Sequence, residues 1–120
     1  MIVEITSKEQ FDAALADSDK LVMVDFRAEW CGPCKMLKPV LHDFAEKRDD
    51  VVLLTVDVDS EWNGDLTMQY GVRSIPQVNF FKSGEEIDKF VWALPPDQIE
   101  VLIDKHVWSA TGESEESEEE

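Results

Sequence analysis

The sequence predicts an α/β fold in which a central mixed β-sheet carries helices on both faces. Two observations predict it: strand-like apolar stretches alternate with segments of helical periodicity, and the last two strands are separated by a short turn. Alternating strands and helices produce parallel strand pairs, and a final hairpin adds antiparallel pairs. The predicted element order is therefore β-α-β-α-β-α-β-β-α.

The first half of the chain supplies two strands and two helices. A short strand at Ile2–Ile5 precedes a helix for which Thr6-Ser7-Lys8-Glu9 predicts a capping box. The buried face of this helix would consist of Phe11, Ala14 and Leu15. Asp17-Ser18-Asp19 breaks the helix, and the apolar strand Leu21–Phe26 follows. The second helix extends to about Arg48, because helical spacing relates Leu37, Val40, Leu41, Phe44 and Ala45.

The second half contributes a buried strand, a weaker helix and a hairpin. The continuous apolar run Val51–Val58 is typical of a strand that is covered on both faces. A weaker helical pattern covers Glu61–Tyr70. The strands Gln77–Phe81 and Glu86–Val91 flank the turn sequence Lys82-Ser83-Gly84-Glu85, which predicts a hairpin.

A last helix closes the predicted domain. Pro95-Pro96-Asp97 opens it, and one stripe of the helix would carry Ile99, Leu102, Ile103 and His106. Residues 1–108 are thus predicted to form one domain. Residues 109–120 are rich in Glu and Ser and are expected to be a disordered acidic tail, since such a composition does not form a core.

Charge and composition exclude several function classes. The 120 residues carry a net charge of −16, and residues 1–112, with 21 acidic and 11 basic side chains, still carry −10. This sign disfavours binding to nucleic acid or to an anionic membrane surface. The N-terminus lacks a basic segment followed by an apolar one, so no signal peptide is expected. We therefore expect a cytoplasmic location, where disulfides are mostly transient and catalytic.

The only two cysteines, Cys31 and Cys34, are separated by Gly32 and Pro33. They lie where the apolar strand gives way to the helical pattern, at a strand-to-helix junction. A helix N-terminus presents unpaired N–H groups and the positive end of the helix dipole, which stabilise a thiolate. Cys31 is therefore expected to be an exposed nucleophile, with Cys34 one turn away and able to attack it.

Other uses of this cysteine pair are less well supported. A structural disulfide that closes so short a loop would constrain the unfolded chain only slightly. A zinc site that adds His42 and His106 would require distant helices to converge, so no metal is expected. Asp25 interrupts the preceding apolar strand, and a carboxylate removed from water has a raised pKa, which makes it a candidate proton acceptor. Its alternative role is that of a strand-end carboxylate that reaches solvent or a backbone partner.

Three motifs together carry a resemblance to a known family. They are Val24-Asp25-Phe26, Trp30-Cys31-Gly32-Pro33-Cys34-Lys35 and Tyr70-Gly71-Val72-Arg73-Ser74-Ile75-Pro76. In motif spacing and element order the chain closely resembles the thioredoxin family, over about residues 2–108. The resemblance implies a thioredoxin fold and a protein-disulfide reductase that acts on disulfide-containing client proteins. It also implies recharging by an NADPH-dependent thioredoxin reductase, with the Cys31–Cys34 disulfide as the redox-active group and no bound cofactor.

The resemblance also implies roles for individual residues. Cys31 would be the attacking thiol and Cys34 the resolving thiol, while Asp25 assists proton transfer from Cys34. Pro76 would be a cis proline that faces the cysteines. The client-docking surface would consist of Trp30, Gly32, Pro33 and Ile75.

Four positions depart from the family pattern. Arg27 stands where the family usually has Trp; it would place positive charge near Cys31 or tie down Asp57 or Asp59 and so favour the thiolate, or else point to solvent. Thr55 replaces a lysine that many relatives pair with the buried Asp. Ser74 and Trp92 replace glycines of the substrate groove; Trp92 would be an aromatic anchor for clients or else a core residue.

The predicted function is therefore cytoplasmic dithiol–disulfide exchange by a monomer. One alternative is a binding role in which the fold serves as a structural subunit and the redox chemistry is incidental. A second alternative is a reductant dedicated to one client, which the unusual groove residues Ser74 and Trp92 and the acidic surface favour.

Overall fold

A five-stranded mixed sheet with strand order β1-β3-β2-β4-β5 forms the centre of the computed structural model. The structure describes residues 1–16 and 19–108, so the predicted acidic tail and part of the predicted helix break lie outside the described residues. The strands are β1 (Ile2–Glu4), β2 (Leu21–Arg27), β3 (Val51–Asp57), β4 (Gln77–Lys82) and β5 (Glu85–Val91). The helices are α1 (Lys8–Ala16), α2 (Gly32–Lys47), α3 (Gly64–Gln69) and α4 (Pro96–Trp108), with a 3₁₀ turn (Glu61–Asn63) before α3.

Strand pairing confirms the predicted fold class. β3 pairs in parallel with β1 and β2, while β4 pairs antiparallel with β2 and β5. The carboxyl ends of β2, β3 and β5 and the amino end of β4 therefore lie along one edge of the sheet, which we call the upper edge. The segments that follow or precede these ends come from distant parts of the sequence, and the pairing brings them together.

Helices cover both faces of the sheet. Alternate residues of β2 point to opposite faces, so Met23 packs on one side and Val24 on the other. The Met23 face is covered by α2 and α4, through Leu41 and Ile103 among others. The opposite face is covered by α1 and α3, through Phe11 and Leu66. Because β2 and β3 are buried on both faces, their sequences are almost continuously apolar.

The predicted capping box of α1 is displaced by one residue. The Ser7 hydroxyl accepts a hydrogen bond from the Gln10 amide at 3.0 Å, and the Gln10 side chain accepts one from the Thr6 amide at 2.6 Å. The pattern Ser-x-x-Gln therefore caps the helix, and the predicted pairing of Thr6 with Glu9 is wrong. Both pairs fit the capping motif, and the structure selects the one whose helix places Phe11 and Leu15 against the sheet.

The Ser7 cap predicts a difference between two neighbouring hydroxyl residues. Ser7→Ala should lower the free energy of unfolding by about 1 kcal/mol, because it removes the acceptor of a helix-terminal N–H group. Thr6→Ala should have a smaller effect, because the Thr6 hydroxyl only donates to the exposed Gln10 side chain. Chemical denaturation of both variants measures this difference, and a larger loss for Thr6→Ala would contradict the observed cap.

Candidate active site

The two cysteines form the N-terminal cap of α2. Cys31 is the N-cap residue, with extended backbone at φ −91° and ψ 111°, and its sulfur accepts a hydrogen bond from the Cys34 amide at 3.1 Å. Pro33 lies in the first turn, where a missing backbone N–H costs nothing. Cys31 and Cys34 are joined by a disulfide bond. The helix therefore directs its free N–H groups at the sulfur expected to be the nucleophile.

Both cysteines are nearly buried. Cys31 is only 4% exposed and Cys34 3%, so the expectation of an exposed nucleophile is wrong for this oxidised form. The physical reason is packing, since Ala28, Val58 and Ile75 enclose the pair. Little of either sulfur is therefore open to solvent in this form.

The segment before β4 lies against this cysteine pair at the upper edge. The carbonyl oxygen of Ile75 is 3.8 Å from the Cys31 sulfur, and the Ile75–Pro76 peptide bond is cis. Pro76 is buried, whereas Ser74 is exposed. Trp30, which directly precedes Cys31, is 68% exposed, and its indole N–H donates to Asp59 at 2.8 Å.

Trp92 follows β5 at the same edge. Its amide donates a 2.8 Å hydrogen bond to the carbonyl oxygen of Pro76, which ties it to the segment that lies against Cys31. The residue is 57% exposed, so the alternative of a core tryptophan is wrong. Exposed Trp30, Gly32, Ser74 and Trp92 and half-buried Pro33 and Ile75 therefore all belong to segments that meet at the upper edge.

Asp25 is buried beneath the cysteine-bearing helix. It lies in β2 opposite Thr55 of β3, on the sheet face that α2 covers. The residue is 2% exposed, and its Oδ1 atom has no hydrogen-bond partner in the described part of the chain. This excludes the alternative of a strand-end carboxylate that reaches solvent. The side chain lines a cleft of about 350 Å³, whose other lining residues include Arg27, Lys38, His42 and Thr55.

Burial dominates the protonation of Asp25. Loss of water raises its pKa from 3.8 to about 7, although the positive charges of Arg27 and Lys38 oppose the rise. At neutral pH this carboxyl group is therefore poised between its two protonation states, which suits a group that accepts and returns a proton.

Arg27 lies within this cleft. Its side chain is only 18% exposed, so it does not extend freely into solvent. The guanidinium group donates to Glu29 at 3.0 Å and lies 4.0 Å from the Asp57 carboxylate, whereas Asp59 binds Trp30. Its charge also acts on Asp25. The structure therefore connects Arg27 to the buried carboxyl group, a link that the sequence analysis did not make.

Two residues of the cleft were missed by the sequence analysis. Lys38 follows Cys34 by four residues and His42 follows Lys38 by four, so all three lie along one side of α2. Burial followed by the charge of Lys38 lowers the pKa of His42. This spacing was a usable signal, but it points to Asp25 only once the packing of α2 on the sheet is known. Thr55 stands where many thioredoxin-like sequences have a lysine near the buried Asp, and Lys38 supplies a positive charge that acts on Asp25 instead.

The described residues contain neither a metal-binding cluster nor a membrane-spanning helix. Within residues 1–16 and 19–108, no group of three or more His, Cys, Asp or Glu side chains is arranged to hold a metal ion. In the same ranges, no helix combines the length and apolar composition needed to cross a bilayer.

Comparison with known proteins decides the family. The family model described as thioredoxin matches residues 2–105. The chain belongs to the thioredoxin family. It is 44% identical over 108 residues to the thioredoxin of Callithrix jacchus, a match that covers 89% of this chain and 100% of that protein. The human thioredoxin is 43% identical over 108 residues, with the same coverage of both chains.

Solved structures agree with this assignment. A point mutant of the thioredoxin from Halobacterium salinarum matches with a TM-score of 0.82 and 33% identity, over 90% of this chain and 92% of that one. The thioredoxin of Malassezia sympodialis matches with a TM-score of 0.77 and 36% identity, over 89% and 91% of the two chains. The thioredoxin family consists of disulfide oxidoreductases, and the bonded Cys31–Cys34 pair is the matching redox group here.

The buried carboxyl group predicts a pH-dependent stability. The folded state holds the Asp25 proton up to about pH 7, whereas the unfolded chain releases it near pH 3.8. The contribution of Asp25 to the free energy of unfolding is therefore full below pH 3.8 and is lost as the pH rises to about 7. Asp25→Asn should remove this fall and raise the free energy of unfolding of the oxidised protein at pH 8 by up to about 4 kcal/mol. Denaturation at several pH values measures the effect. The exposed control Glu100→Gln should keep the wild-type profile, and a parallel profile for Asp25→Asn would contradict the assignment.

The position of Arg27 predicts a shift in the titration of Asp25. Arg27→Gln should raise the pKa of Asp25 above about 7. Of the two positive charges that oppose the effect of burial on this pKa, Arg27 has the larger effect, and this variant removes it. Lys38→Gln should act in the same direction but less strongly, and the exposed control Lys47→Gln should have no effect. Carboxyl NMR titration measures these shifts. An unchanged Asp25 pKa in Arg27→Gln would contradict this coupling.

Proposed function

We propose that this protein is a cytoplasmic protein-disulfide reductase that works as a monomer and maintains redox homeostasis. Its oxidised form would be recharged by an NADPH-dependent thioredoxin reductase, and it would need no bound cofactor. The single observation that carries the proposal is the disulfide-bonded Cys31–Cys34 pair at the N-terminus of α2, against the Ile75–Pro76 segment.

Reduction of a client takes two exchange steps. The Cys31 thiolate attacks one sulfur of the client disulfide; a bond forms between the two sulfurs, and the other client sulfur leaves as a thiolate that takes up a proton. Cys34 then loses its proton and attacks the Cys31 sulfur. The mixed disulfide breaks, the second client thiolate leaves, and the Cys31–Cys34 bond is formed. Two electrons have passed from the cysteine pair to the client.

Three features of the site assist these steps. The N-terminus of α2 and the Cys34 amide stabilise negative charge on the Cys31 sulfur. Asp25, on the sheet face that α2 covers, assists the loss of the Cys34 proton because its pKa of about 7 allows it to accept a proton at neutral pH. Arg27 tunes the site through its charge, which acts on Asp25.

The docking surface selects the client. Trp30 and Trp92 are its exposed aromatic residues, and Gly32, Pro33, Ser74 and Ile75 complete the surface. Trp30, Thr67 and Ile75 also line a cleft of about 210 Å³ beside the cysteines. A client segment that lies across this surface would bring its disulfide to the nearly buried sulfur of Cys31.

Cysteine variants test the proposal. Cys31→Ser should abolish turnover of a generic disulfide protein, because the attacking sulfur is lost. Cys34→Ser should instead accumulate a mixed disulfide between Cys31 and the client, since the resolving sulfur is missing. Turnover in the presence of NADPH and thioredoxin reductase, together with non-reducing gels, measures both outcomes.

The same variants separate the alternative functions. Full function in cells with both cysteines replaced would contradict the reductase and favour a structural-subunit role. Activity on one client without activity on generic disulfides would favour a dedicated reductant.

A further inference from the structure

Trp92 has a backbone conformation that its side chain disfavours. Among the described residues, Ser83 and Trp92 are the non-glycine residues with positive φ, at 55° and 79°. The hairpin turn that joins β4 to β5 explains Ser83, because its neighbour Gly84 is also left-handed and such turns require this conformation. Trp92 lies outside that turn. For a bulky residue the left-handed region is strained, because its Cβ crowds the backbone.

The Trp92 side chain makes few contacts that would stabilise the fold. The residue is 57% exposed, so most of its surface remains in water. Within residues 1–16 and 19–108, its ring stacks on no other aromatic ring, and its indole N–H has no hydrogen-bond partner. The backbone hydrogen bond to Pro76 is available to any residue other than proline, including glycine. Backbone strain at Trp92 that no packing contact of its ring offsets indicates a function at the surface.

The surroundings of Trp92 indicate what its ring would bind. The residue is tied to Pro76, next to the Ile75 carbonyl that lies 3.8 Å from the Cys31 sulfur. The segments at the upper edge carry charges of both signs, with Glu29 paired to Arg27, Asp59 bound to Trp30 and Arg73 beside Ile75. The charge of residues 1–112 as a whole is −10. An exposed indole on a protein of net negative charge attracts cationic side chains, and Trp is the best aromatic partner for them.

We propose that Trp92 is a specificity-determining residue that binds a lysine or arginine next to the disulfide of an extended client segment. The long side chain of the client would lie along the ring with its charge over the indole face, while its disulfide meets Cys31. This inference rests on the proposed reductase function and names the class of client that the protein prefers.

Matched disulfide peptides test this preference. Two synthetic peptides share one intramolecular disulfide and differ only in an Arg or a Glu beside one cysteine, and hydroxyethyl disulfide serves as a neutral small substrate. Trp92→Gly should lower kcat/KM for the Arg peptide about fivefold, the size expected from one cation–π contact. It should lower kcat/KM for the Glu peptide less, so that the ratio of kcat/KM between the two peptides falls. Hydroxyethyl disulfide measures the disulfide exchange itself. Trp92→Phe should keep part of the preference, because it retains an aromatic face.

Ser83→Gly is the matched control. Both glycine variants relieve a left-handed backbone and should raise the melting temperature, but only Trp92→Gly should change the choice between peptides. An equal loss for both peptides, or no loss for either, would overturn the proposal. A lower melting temperature for Trp92→Gly would also overturn it, because the ring would then support the fold. Failure of the wild-type protein to reduce all three substrates would instead contradict the reductase function itself.

Discussion

The junction between β2 and α2 is the constraint on which the rest of this site depends. Only residues 28–31 separate the end of β2, a largely buried strand, from the first turn of the helix, so Cys31 must cap that helix. The cap gives the sulfur a backbone hydrogen bond and the positive end of the helix dipole. The same short connection holds α2 over the face of the sheet that contains Asp25. The connection of residues 28–31 therefore positions both the Cys31 sulfur and the helix that covers Asp25.

The site retains two features that disfavour folding. Asp25 is a buried carboxyl group whose Oδ1 atom has no hydrogen-bond partner among residues 1–16 and 19–108, and Trp92 is a bulky residue with a left-handed backbone. The surrounding structure supports both, since the extensive pairing of β2 with β3 and β4 fixes Asp25 and the bond to Pro76 fixes Trp92. Natural proteins commonly give up stability at positions where function requires an unfavourable group. In the proposed function, Asp25 would serve proton transfer and Trp92 would serve client selection.

Local sequence patterns predicted most of the fold, because β2, β3 and the amphipathic helices bury their apolar residues at the spacing of their own secondary structure. The pattern is ambiguous at Ser7, where two capping pairs fit the motif, and only the packing of α1 on the sheet selects between them. Cys31 was expected to be exposed because its own helix leaves it at a terminus. The covering residues Val58 and Ile75 come from later segments, and no local pattern reports them.

By itself, the sequence determined the order of the elements, the redox pair at a helix start and the isolated carboxylate in an apolar strand. Each of these depends on residues close together in the chain. Tertiary structure alone decided that Arg27, Lys38 and His42 share a cleft with Asp25, and that Trp92 is exposed beside the segment that lies against Cys31. These relations depend on how β2, α2 and β5 pack and pair across long separations in sequence. The electrostatic surroundings of a buried group follow from that packing, so they become visible only in the folded molecule.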